Sequence, residues 1–252
     1  MSNPDLESSV ASVACAVNPG QVPNVLWGHG LLNVHGIPSI VASIDFVLPD
    51  DLLPRGAKIL RALPSFRPCQ DPETCPVSSQ ERHTPAPASH LHVDNSEITV
   101  GLYQQSQTLW FLPTLDSTLI YPEASQLPPQ FVLASDQGSL PPWRPGRGSG
   151  VFKSSKEAVV VPKAHVLLEA FLRLCAGDLG RRIGAFSLAM VGYIEQYVDD
   201  DGLLDTSQLP EPIKTSYLEL REGRKPVRQW TKELNQALQV PEEEDSDEEG
   251  NW

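Results

Sequence analysis

The four cysteines, at positions 15, 69, 75 and 175, are too few and too scattered over 252 residues to make a disulfide framework. Reduced thiols, and with them a cytoplasmic or nuclear setting, are the expectation. No stretch reaches 18 uninterrupted apolar residues, so no membrane span is expected. Met1 to Val10 lacks the basic stretch and apolar core of a secretory signal. Cations are also scarce, 19 Lys and Arg against 32 Asp and Glu, and they form no stripe, which argues against a nucleic-acid partner. There is no internal repeat. A Gly-x-Ser-x-Gly elbow is missing too: Arg147-Gly148-Ser149-Gly150 lies in a proline loop without the strand and helix that would tension a serine nucleophile. The same glycines followed by Lys153 do not have P-loop spacing and read as a linker.

Proline is plentiful instead. The 24 prolines gather between Pro64 and Pro87 and between Pro122 and Pro162, which predicts long loops there and not general disorder. Of the net charge of −13, seven units come from Glu242 to Glu249 alone, so the body is only mildly acidic. Such a run repels itself and stays solvated, and residues 241–252 read as a disordered tail. Ser246, ahead of Asp247-Glu248-Glu249, is an acceptor context for acidophilic kinases. The remainder is long enough for one large domain, or for a compact domain with a helical extension.

Pro23 to Trp27 is a short apolar run ending in Gly28-His29-Gly30, followed by Leu31 to His35 before Gly36, which reads as strand, glycine turn and helix. Between Pro38 and Pro49 the run Ile40 to Leu48 places Ile44, Phe46 and Leu48 on one face and Ser43, Asp45 and Val47 on the other, the period of a strand. Asp50-Asp51 is expected to cap a helix from Leu52 to Leu63. A strand pair is expected at Glu97–Tyr103 and Gln107–Leu112, a strand at Gln130–Leu133 and an edge strand at Val159–Val161. After Pro162 four helices are predicted, at Ala164–Cys175, Asp178–Val198, Leu209–Leu220 and Val227–Leu238. The fold class is therefore α+β. Residues 1–161 form an α/β core with a Pro-rich insertion at 64–95, and 162–240 a C-terminal helical region.

The stretch WGHGLLNVHGIP, followed by SIDFVLPDD, resembles the signature of the nucleotidyltransferase superfamily, in particular its fungal nucleotidyltransferase-like proteins. In that family a glycine pair ends the first strand, and an acidic-hydrophobic-acidic triplet lies on the second. The resemblance covers roughly Val22 to Leu112 and implies a mixed sheet of nucleotidyltransferase type. It also implies a cleft in which two carboxylates on one strand face, with a third from a neighbouring strand, hold Mg²⁺ on a nucleoside triphosphate for in-line transfer. Carried over residue by residue, Asp45 is the metal ligand and catalytic carboxylate, with Glu97 as the acid from the neighbouring strand and Asp94 just before it. Gly28, His29, Gly30 and Ser43 are then the residues that approach the phosphates. The chain departs from the pattern at Ser43, where the first carboxylate belongs, and at His29, in place of a small residue. Two readings follow: a descendant with eroded catalysis that binds a nucleotide, a small molecule or a protein partner, and an active Mg²⁺-dependent nucleotidyltransferase. A non-catalytic accessory role in a fungal metabolic pathway is a third.

Cys69, Cys75, His83, His90 and His92 combine thiol and imidazole, a zinc-binding chemistry, but C-x5-C-x7-H-x6-H-x-H departs from the usual short-paired ligand spacing. The favoured expectation is a loop packed on the core with one of His90 or His92 buried. Lys153, Lys156, Lys163, Arg173, Arg181 and Arg182 are the cations available to neutralise a triphosphate, and read equally well as solvated surface.

Overall fold

A computed structural model describes residues 4–79, 84–153, 157–178 and 182–240. The acidic segment 241–252, His83, Lys156 and Arg181 lie outside these residues. The chain opens with a helix the sequence reading did not anticipate, α1 (Pro4–Val17). Val10, Val13, Ala14 and Val17 share one buried face of it, packed on the helix Leu53–Arg61. Burying a valine is worth about 1.5–3 kcal/mol, while its helix-propensity handicap is at most about 0.7 kcal/mol. Packing therefore decides in favour of helix.

Strand β1 (Val25–Trp27) passes into helix α2 (Gly28–Val34) with the expected glycine turn made by Gly28 itself, the first residue of the helix. Strand β2 (Ser43–Leu48) keeps the expected alternation but starts three residues late. Helix α3 (Leu53–Arg61) is not capped by Asp50 or Asp51; the Asp50 carboxylate accepts from the Ser106 backbone N–H at 3.1 Å and from its hydroxyl. Strands β3 (Phe66–Pro68) and β4 (Ser89–Val93) both arise within the segment read as an insertion. They join β5 (Thr99–Gln104) to give the order β1-β2-β5-β4-β3. Strands β2 and β5 are parallel, and the other pairs are antiparallel.

The strand expected at Gln107–Leu112 does not form. Both edges of β5 are already taken by β2 and β4, so no ladder remains for it. The chain makes the short helix α4 (Gln105–Thr108), and the Gln105 side chain ties the segment by donating to the Pro113 carbonyl and accepting from Leu115 N–H. Strands β6 (Phe131–Leu133) and β7 (Val160–Pro162) pair antiparallel as a separate ribbon. Helices α5 (Ala164–Gly177), α6 (Arg182–Ile194), α7 (Ile213–Arg221) and α8 (Val227–Ala237) complete the described chain, the α+β order expected.

The two faces of the sheet have different fates. Leu26, Phe46 and Leu102 are register partners in one row, and Ile44, Val100 and Leu91 in the next. All six are buried, on the face that also carries Leu48 and packs on α3. The opposite face carries Trp27, Asp45, Gly101 and His90 as successive partners across four strands, with Ser43, Thr99 and His92 in the adjoining row. This second face meets α5, where Trp27 stacks on Phe171 with ring centroids 5.8 Å apart. A cleft remains between sheet and helices.

Candidate functional site

Trp27 is extended and Gly28 has φ +62°, so the chain turns from β1 into α2 through the left-handed region that glycine tolerates. A Cβ at Gly28 would lie 2.5 Å from Asp45 Oδ2, and one at Gly101 would lie 2.4 Å from Oδ1. The two glycines therefore admit the Asp45 carboxyl between β1 and β5. Asp45 is 4% exposed, and the Ser43 hydroxyl donates to Oδ1 at 2.7 Å. The glycine at the strand end and the aspartate on the neighbouring strand thus face each other.

His29 lines the cleft mouth, where its Nδ1 is 2.5 Å from Ser39 Oγ and its ring meets Phe186 edge-on at 5.9 Å. Asn33 holds the loop before β2 by donating to the carbonyls of His29 and Ser39. Gly30 looks away from the cleft, toward Leu26, so it does not share the turn with Gly28. Glu97 is exposed at the rim, and Asp94 pairs with Arg67 at 2.7 Å.

The cleft has a volume of about 400 Å³, within the range of small-molecule sites. Trp27, Tyr103, Phe171 and Phe186 supply aromatic walls, and Cys75, Pro76 and Val77 close one side. Phe171 and Phe186 stand edge to face, 6.3 Å between centroids. From the sequence, Phe171 and Phe186 fall within the expected helices Ala164–Cys175 and Asp178–Val198, with nothing local to single them out. Their chemistry becomes visible once α5 and α6 are laid over the sheet.

No Lys or Arg lines the cleft among the described residues. Arg173 is occupied elsewhere, bonded to Glu169 at 2.7 Å and stacked over Phe111. Burial pushes the Glu169 carboxyl up, and Arg173 opposes that shift. The residues present do not fit a two-Mg²⁺ centre. Ser43 donates to Asp45 where a second anion would be needed, and the β5 residues beside it are Thr99 and Gly101. Among the described residues Asp45 belongs to no group of three or more His, Cys, Asp or Glu side chains close enough to share an ion. Mg²⁺ demands several oxygen ligands, and a triphosphate needs cations to offset it.

Fold and site together define an α+β protein with a mixed five-stranded sheet and an aromatic cleft at the junction of β1 and α2. No protein-family model matches the sequence, and no curated protein matches it. Among solved structures, the chain is similar to an antigenic nucleotidyltransferase-like protein from Paracoccidioides brasiliensis, at 13% identity and a TM-score of 0.45 over 95% of this chain and 94% of that one. It is also similar to the antibiotic-resistance factor ANT(2'')-Ia in solution, at 9% identity and a TM-score of 0.40 over 89% and 96% of the two chains. The same factor in complex with adenylyl-2''-tobramycin gives 9% and 0.41 over 89% and 100%.

Proposed function

We propose that this is a nucleotidyltransferase-fold binding protein with eroded catalysis, whose cleft takes the flat, uncharged part of a small molecule such as a nucleoside. The observation that carries the reading is the lining itself: four aromatic rings around a floor with one buried carboxyl group and, among the described residues, no Lys or Arg. Aromatic walls favour a planar ligand by stacking. A triphosphate would lose its hydration there without gaining a cation from the described residues.

The competing reading, an active Mg²⁺-dependent nucleotidyltransferase using Asp45 and Glu97, draws on both residues lining the same cleft. Calorimetric titration with adenosine and with ATP, each with and without Mg²⁺, separates the two beside a pyrophosphate-release assay. Eroded catalysis expects Mg²⁺ to leave both affinities unchanged, the triphosphate to add nothing to nucleoside binding, and no pyrophosphate. It also expects Phe186→Ala to weaken adenosine binding about tenfold, or about 1.4 kcal/mol. Mg²⁺-dependent tightening of ATP binding, with pyrophosphate release that disappears in Asp45→Asn, would establish the transferase instead.

A further inference from the structure

The connection from β3 to β4 carries no helix or strand among its described residues, yet it forms a wall of the cleft. Connections of such length in a compact domain need something to hold them. Cys69 follows β3 directly. Cys75 sits on a turn in which its backbone N–H donates to the Asp71 carbonyl at 3.1 Å, while the Asp71 carboxylate receives the Thr74 hydroxyl at 2.6 Å. His90 and His92 are two residues apart on β4, so both project from the face opposite Leu91. One ligand atom from each of the four residues lies within 4.8 Å of every other. Cys75 Sγ is 3.5 Å from His90 Nε2 and 3.8 Å from His92 Nε2.

The two separations from Cys75 Sγ match the sulfur–nitrogen edge expected of a tetrahedral zinc site. With Zn–S about 2.3 Å and Zn–N about 2.0–2.1 Å, a sulfur and a nitrogen on one tetrahedral zinc are about 3.6 Å apart. Two thiols and two imidazoles are a soft donor set that suits zinc and not Mg²⁺ or Ca²⁺. We propose that Cys69, Cys75, His90 and His92 form a closed structural Zn²⁺ site that fastens the β3–β4 connection to the sheet and thereby builds the cleft wall at Cys75–Val77. On binding, Cys69 and Cys75 each lose a proton and become thiolates, which balance the charge of the ion. Four protein ligands leave no open position for water, so the site stabilises and does not catalyse. The sequence expectation of a single buried histidine gives way here: both are half-buried and converge on Cys75. His83 lies outside the described residues, and the four-ligand set does not require it.

The test uses the full chain, purified under reducing conditions without chelator. Elemental analysis is expected to find about one zinc per chain. Replacing it with Co²⁺ is expected to give the visible d–d bands of a tetrahedral site with thiolate charge transfer. Cys75→Ser and His92→Asn should weaken Co²⁺ binding at least tenfold, while Cys15→Ser and Cys175→Ser leave the spectrum unchanged. Reduced wild-type protein that holds no zinc and shows no tetrahedral Co²⁺ spectrum would overturn the proposal, as would a Cys69–Cys75 disulfide in protein that takes no metal after reduction. The wild-type spectrum is decisive even where a ligand variant fails to fold, and its outcome is independent of what the cleft binds.

Discussion

The meeting of Gly28, Gly101 and Asp45 can be tested by adding one methyl group at a time. Gly28→Ala places a Cβ 2.5 Å from Asp45 Oδ2 and 3.3 Å from Asp45 Cβ, at a residue with φ +62°. The left-handed conformation costs an alanine about 1–2 kcal/mol, and overpacking a buried site costs about 1–3 kcal/mol. Asp45 cannot swing aside cheaply, because it is buried and held by Ser43. A total of about 3 kcal/mol follows, or about 6–12 °C in Tm for a chain of this size. Gly101→Ala carries no left-handed cost; its Cβ meets Asp45 Oδ1 at 2.4 Å and the Tyr103 ring at 3.1 Å, so about 2 kcal/mol is expected from overpacking alone. In an Asp45→Ala background both collisions with the carboxyl disappear. Gly101→Ala should then cost less than about 1 kcal/mol, while Gly28→Ala keeps its conformational term of about 1–2 kcal/mol. Urea unfolding of the single and double variants gives the coupling energies directly. Costs that stay the same in both backgrounds, within the roughly 0.3–0.5 kcal/mol of ordinary additivity, would show that the glycines do not make room for Asp45.

Burial pulls His35 down from 6.5 to about 4, against the opposing effect of its Nε2–H bond to the Pro162 carbonyl. Between those pH values the unfolded chain binds a proton that the folded chain refuses, so stability falls as pH drops through the window, by up to about 3 kcal/mol; His35→Gln should flatten this part of the urea-midpoint profile. Gly148→Ala would set a Cβ 2.5 Å from the Asn33 carbonyl and 2.7 Å from that of Ile37, both backbone. A loss of about 3 kcal/mol or more is expected in thermal melts, and wild-type stability would show that the proline loop does not dock on α2. Trp230→Phe removes the indole N–H that donates to the Ser216 carbonyl at 2.7 Å and leaves a void between α7 and α8. Chemical denaturation should show a loss of about 2–3 kcal/mol.

Legibility followed how local each determinant was. The β2 alternation needs only six residues, and so Asp45 could be assigned to a face from the sequence. The four C-terminal helices announced themselves by apolar spacing, although α6 begins at Arg182 and ends in a wider turn at Glu195–Asp199. Helix α1 escaped notice because three of its buried positions are valines, whose preference points to strand, and only packing on α3 overrides it. The strand at Gln107–Leu112 was wrong for a non-local reason, since nothing near those residues reveals that β5 already has two neighbours.

The cleft chemistry was harder to read because it depends on which strands are neighbours. Ser89-His90-Leu91-His92-Val93 alternates around one buried leucine, the pattern of a half-buried strand, but the prolines ahead of it, from Pro64 to Pro87, make the whole segment read as a loop. Once β4 is placed beside β5, His90 falls in the same row as Asp45, two strands or about 10 Å away. The thiol and imidazole cluster and the aromatic cleft then share a wall, since Cys75 and His92 belong to both. By thermodynamic reciprocity, a cleft ligand that touches Pro76 or Val77 and an ion that fixes those residues must each change the affinity of the other by the same factor. That factor measures how far the wall depends on the ion. Equal ligand affinity in zinc-loaded and chelated protein would mean that the turn at Asp71–Thr74 alone is enough to position it.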